Sequence, residues 1–216
     1  MQSLPNIDYK KPKKNPTIDA ETSLFELPFY KDADYLANLD NFVEFVKAVE
    51  RMVRTSKYYS RYIKYLKEDM GLNFCQVLSN IQVMDEKDNT KIEMHHGPIL
   101  TLFDYVAIVT DDQLAKGKPV STFRIADIVL QEHFENHVQV VMLTETVHQL
   151  VHDGKVFLNM KHAFGDLQAF LDKYRDGVSD EYISKINKYI ERSERYDSFD
   201  KQTLDLGKTP MSWNRD

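Results

Sequence analysis

From Asn38 to Met70 the apolar side chains recur at steps of three and four: Phe42, Phe45, Val46, Val49, Met52 and Val53, then Tyr59, Tyr62, Ile63 and Leu66. Such spacing gathers them on one helix face, with a break expected at Thr55-Ser56 and a stop at Gly71. The pattern changes after Cys75. Val77, Ile81 and Val83, a turn at Asp88-Asn89, then Ile92 and Met94 predict a β-hairpin. Thr101 and Ser121 stand where helix caps are needed. The first would open a helix carrying Leu102, Phe103, Tyr105, Val106, Ile108 and Val109, ended by Gly117 and Pro119; the second, one carrying Phe123, Ile125, Ile128 and Val129. The β-branched run over residues 138–143 reads as a strand, and Thr144 caps a short helix that closes at Gly154. Phe157 is placed in one more strand, and helices are expected over 166–174 and 179–192.

These elements predict an α+β protein, mostly helical. An extended basic N-terminal arm covers 1–37, with Lys10, Lys11, Lys13 and Lys14 among prolines, and a helical region covers 38–72. A strand–helix core follows over 73–160 with a helical insertion over 101–135, then C-terminal helices over 161–196 and a polar tail over 197–216.

Composition narrows the function classes. One cysteine, Cys75, leaves no internal disulfide and no Cys-x-x-Cys zinc knuckle; it fits a reducing compartment and is read as a buried thiol. The net charge of −6 excludes a globally basic coat, so nucleic acid would have to meet a local patch. No run approaches the roughly 20 apolar residues of a membrane helix. Met1 to Asn15 lacks the apolar stretch of a secretory signal, so a cytoplasmic location is expected.

A local basic patch is present. Lys47, Arg51, Arg54, Lys57, Arg61, Lys64 and Lys67 succeed one another at helical steps, with Tyr58, Tyr59, Tyr62 and Tyr65 between them. A ridge of this kind tracks a phosphate backbone; it is equally the solvated face of an amphipathic helix.

The histidines are the more informative feature. All seven (His95, His96, His133, His137, His148, His152, His162) fall between positions 95 and 162. His148 and His152, four apart on a short helix, lie one turn apart on one face, where both can reach one ion. His95 and His96 end a strand. Neighbours there face opposite ways, so bringing both to one cavity requires a bend, which Gly97-Pro98 would supply. One imidazole could then complete a three-histidine site suited to zinc, nickel or another divalent transition ion, while its neighbour handles a proton. His133, His137 and His162 have no such context and are read as surface or outer residues.

The segment Ile92-Glu93-Met94-His95-His96-Gly97-Pro98, followed by Gln139-Val140-Val141-Met142-Leu143-Thr144-Glu145-Thr146-Val147-His148-Gln149-Leu150-Val151-His152, resembles the HNH (His-Me finger, ββα-metal) nucleases. The bacteriocin DNases and the small HNH proteins of bacteriophages are nearest in character. The resemblance spans residues 75–160. It implies a ββα-metal core holding one divalent ion (Zn, Mg, Mn or Ni), with His95, His148 and His152 as metal ligands and His96 as general base. The family's middle asparagine falls on Gln139, with Asn136 the second candidate. The implied activity is phosphodiester hydrolysis, on DNA, with Lys47, Arg51, Arg54, Lys57, Arg61, Lys64 and Lys67 as the nucleic-acid contacts and, if phage-encoded, the host cytoplasm as the site of action. The chain departs from the pattern in its long stretch between His96 and Gln139 and in having Gln for Asn. The alternative reading is therefore an inactive HNH-like module with a structural zinc that binds nucleic acid or a protein partner. A third reading leaves the histidines without a ligand.

Overall fold

The computed structural model describes residues 30–78 and 91–205, with side chains through residue 195. Helices begin where the sequence supplies a cap. Asn38 accepts from the Asp40 and Asn41 amides to open α2 (Leu39–Thr55), after a single turn, α1 (Ala33–Leu36), started by Asp32. Ser56 is extended (φ −69°, ψ 141°), so it closes α2 and, by accepting from the Tyr58 amide, opens α3 (Lys57–Glu68). Thr101 forms a reciprocal capping box with Asp104 at the head of α4 (Leu102–Ala115), and Ser121 caps α5 (Thr122–Phe134). Each such cap is worth about 1 kcal/mol. Strand β1 (Ile92–His96) pairs antiparallel with β2 (Val140–Thr144) in the register His95↔Val141 and Glu93↔Leu143. Thr144 then caps α6 (Glu145–His152), which is followed by α7 (Leu167–Lys173) and α8 (Asp180–Asp205).

The core lies where α2 packs against α5 and α4. Helix α4 is buried nearly all round (Leu102, Tyr105, Val106, Ile108 and Val109 are almost inaccessible), as a helix at the centre of a domain must be. The expected insertion over 101–135 is thus the heart of the molecule. The fold is α+β, with the small sheet laid on a helical body.

Strand β1 alternates as a half-buried strand should: Ile92, Met94 and His96 turn inward, Glu93 and His95 outward. Strand β2 is buried throughout because α6 covers its second face through Val147 and Val151. The outer edge of β2 is also closed. Gln76 imitates a strand there, its amide donating to the Met142 carbonyl at 2.8 Å and its side-chain oxygen accepting from the Met142 amide at 2.6 Å, while Phe164 exchanges two bonds with Val140.

Several expectations change. Strand β1 pairs with β2, far along the chain; Ile81, Val83 and the Asp88-Asn89 turn of the expected hairpin lie outside the described residues, and Val77 sits in a bend. Phe157 is in coil, stacked on Tyr189. The arm ends sooner than residue 37, since Lys31 bonds to the Val120 carbonyl and α1 follows; its lysines at 10–14 lie outside the described residues. Helix α8 runs through Asp205, well into the expected polar tail. Cys75 is buried as expected. No helix among the described residues is long and apolar enough to cross a membrane.

Candidate metal centre

Two periodicities meet above the sheet. Glu93 and His95 are two apart on β1 and share its outer face, about 7 Å apart along the strand. His148 and His152 are four apart on α6, about 6 Å along the helix axis, on the stripe beside the Val147–Val151 stripe that seats α6 on β2. The matching rises set the helix pair over the strand pair. The His95 ring centroid is 5.0 Å from that of His148 and 5.1 Å from that of His152, and the potential ligand atoms of all three rings lie within 4.8 Å of one another.

The donor set fits a late divalent transition metal. His148 Nε2 and His152 Nε2 are 3.0 Å apart, close to the roughly 3.4 Å between two ligands of a tetrahedral zinc. Glu93 Oε2 is 2.8 Å from His148 Nδ1. The Glu93 carboxylate, held below its usual range by Lys91 and then by His148, is an acceptor, so Nδ1 carries the proton and Nε2 offers its lone pair to the cluster. Burial, followed by the charges of His148, His152 and Arg54, pushes His95 down to about 4, which keeps that ring neutral and free to ligate at physiological pH. His95 and His148 are half-buried and His152 exposed, so the cluster opens to solvent; no fourth protein ligand joins it among the described residues.

His96 does not reach this cluster. Gly97-Pro98 does not override the strand alternation: His96 turns to the opposite face of β1, 6 % exposed, stacked on Tyr59, with Nε2 3.0 Å from His133 Nε2. His133 Nδ1 bonds the Val129 carbonyl at 2.6 Å, which can only accept, so His133 Nε2 is the acceptor and His96 Nε2–H the donor. Burial, then the charge of His133, holds His96 well below the ordinary histidine range. Gln139 is also enclosed. Its amide donates to Tyr105 Oη at 2.9 Å, and its side-chain oxygen is buried with no partner among the described residues. Asn136 turns the chain after α5 with a positive φ of 58°.

His133 is fully buried, not a surface residue. It occupies the position seven beyond Ala126 on the face bearing Val129 and Leu130, and that periodicity was the available signal. Glu93 was missed too, although strand alternation puts it on the face of His95. His137 is half-buried, its Nδ1 2.7 Å from Glu132 Oε2, and His162 is half-buried in a short 3-10 turn. Glu132, Glu135 and His137 cluster closely enough to suggest a second cation site. The Lys173 ammonium already fills that role, 2.7 Å from Glu132 and 2.8 Å from Glu135, while Tyr174 donates to Glu132 at 2.7 Å.

The basic ridge is divided. Ser56 interrupts it, leaving Lys47, Arg51 and Arg54 on α2 and Lys57, Arg61, Lys64 and Lys67 on α3. Lys67 is half-buried, its Nζ 2.7 Å from the Ile92 carbonyl, which ties α3 to β1. Arg54 pairs loosely with Glu50 (3.6 Å) and Lys64 with Glu68 (3.5 Å). Lys47, Arg51, Lys57 and Arg61 are exposed and in no ion pair among the described residues. Tyr59 of α3 stacks on His96, so the junction of α2 and α3 stands beside the end of β1, and the Arg54 charge adds to the lowering of His95, His96 and His133.

Comparison with curated proteins and with solved structures finds no match. A protein-family model does match, over residues 4–209, nearly the whole chain. On that match the chain belongs to the bacteriophage G278-like virion protein family.

Proposed function

We propose that this virion protein is a metal-dependent phosphodiesterase of the HNH type that acts on DNA. The observation that carries the reading is the convergence of His95, His148 and His152 where a strand pair meets the following helix, with a face open to solvent. Three protein ligands with a free position are the pattern of hydrolytic zinc centres, whereas structural ones are closed by four. A divalent ion held there supplies a Lewis acid at the scissile phosphate.

The chain's own residues do the rest. Glu93 fixes the His148 ring. Arg54 stands in the last turn of α2 on the basic ridge, and the exposed Lys57 and Arg61 carry that positive surface along α3, where a phosphate backbone can lie. His96 serves here as a support of the strand, because its Nε2 proton is committed to His133. The DNA of a phage would be a polyanion suited to this face.

The test is nicking of supercoiled plasmid by the purified chain with Zn²⁺, Ni²⁺, Mn²⁺ or Mg²⁺. Cleavage is expected with at least one ion and is lost in His95→Ala and in His152→Ala. A second reading, a non-catalytic module stapled by its metal, is favoured by the enclosure of His96 and Gln139. Stoichiometric metal without nicking under any condition would decide for it.

A further inference from the structure

We infer that Glu93 is the outer-sphere carboxylate of the metal centre, the positioning residue that makes His148 a ligand. The inference rests on the three histidines holding a divalent ion, and not on that ion hydrolysing anything. Among the described residues Glu93 is the one acid bonded to a cluster histidine. Its Oε2 accepts from His148 Nδ1 at 2.8 Å, and its Oε1 accepts from Lys91 Nζ at 2.6 Å, so both oxygens are engaged and the carboxylate plane is held.

The consequence is chemical. A neutral imidazole carries one proton on either nitrogen, and a free His148 would divide itself between the two forms. The Glu93 bond keeps the proton on Nδ1 and leaves the lone pair on Nε2, the atom 3.0 Å from His152 Nε2. It also stops rotation of the ring and places negative charge behind the ligand. Outer-sphere partners of this kind typically govern metal affinity by about 10- to 100-fold. Lys91 has an exposed side chain and steadies the carboxylate without reaching the ligand.

A plain ion pair joining α6 to β1 would give the same distances, and metal affinity separates the two roles. The full chain, stripped with chelator, is titrated with Co²⁺ and Zn²⁺ against a chromophoric competitor. Wild type is expected to take one ion and to show the intense visible bands of four-coordinate Co²⁺. Glu93→Ala should lose about 10- to 100-fold in affinity with shifted Co²⁺ bands, while its metal-free melting temperature stays near wild type. Glu93→Gln, which keeps an acceptor for Nδ1–H, should recover part of the loss.

Glu93→Ala binding Co²⁺ as tightly as wild type, with the same spectrum, would overturn the inference. If Glu93→Ala does not fold, an unchanged affinity in both Glu93→Gln and Glu93→Asp would do so. Wild-type chain that takes up no ion would overturn this inference and the metal-centre reading together. Metal uptake that depends on Glu93 without plasmid nicking would support it while refuting hydrolysis.

Discussion

Acid should weaken this fold through His133, by an amount that can be worked out. The ring is buried between Tyr59, Tyr62 and His96; its Nδ1–H donates to the Val129 carbonyl and its Nε2 accepts from His96. Burial, the largest influence, pushes it from 6.5 down to about 4. The native ring therefore refuses a proton that the unfolded chain accepts. A histidine depressed in this way contributes stability that is complete above pH 6.5 and is lost as the pH falls towards 4. At about 1.4 kcal/mol per decade of proton affinity, the interval amounts to roughly 3 kcal/mol, of which about 2 is gone by pH 5.

The perturbation is His133→Gln, which cannot charge in this range but can still accept from His96. Urea denaturation followed by circular dichroism, with chelator present, gives stability from pH 7 to pH 5. The variant should be less stable at pH 7, by about 1–3 kcal/mol for the disturbed buried bonds. Its further loss on acidification should be smaller than wild type's by about 2 kcal/mol. The comparison cancels His95, also pushed down to about 4, and the lowered carboxylates of Glu93, Glu135 and Asp153, all of which lose stability in acid. Equal pH slopes in the two proteins would refute the reasoning.

Zinc at 100 times its dissociation constant should stabilise the chain by about 2.7 kcal/mol, a rise of some 5–10 °C in melting temperature; a rise of the same size in His152→Ala would speak against the cluster as the site. Gly177 fits against α4 so closely that a Cβ would overlap the Ile108 carbonyl and stand 2.7 Å from the Asp112 amide. Gly177→Ala should therefore cost more than about 3 kcal/mol in denaturant titration, and an unchanged midpoint would deny that contact. Burial raises the Asp111 carboxyl to about 6, so its ionised form disfavours the native state above that pH. Asp111→Asn should melt higher than wild type at pH 7, and the advantage should vanish by pH 4; a variant that melts lower at pH 7 would contradict the assignment.

Local chemistry was the legible part of the sequence. Ser56, Thr101, Ser121 and Thr144 announce helix starts because a cap bonds to an amide two or three residues ahead, so nothing distant is needed to find it. Spacing also paired His148 with His152, and the resemblance to the HNH nucleases added His95 to them. What was lost required knowledge of remote partners. The mate of β1 lies beyond two intervening helices, where local pattern does not point, while Ile81 and Val83 of the expected hairpin's first run lie outside the described residues. The two neighbouring histidines were expected at one site through a bend, yet the pleat prevailed because His96 gains a buried partner on α5. The basic ridge looked continuous because positively charged side chains keep helical spacing across Ser56, while the backbone there is extended.

Gln76 has a consequence for the protein at high concentration. Unpaired strand flanks invite neighbouring chains to join them, a hazard that grows with local concentration. By spending its amide and its carboxamide on Met142, this one residue withdraws the hydrogen-bonding groups a second molecule would need on that side, and Phe164 does the same one step along. A second copy meeting this side of the sheet is thus denied β2 as a seam for adhesion.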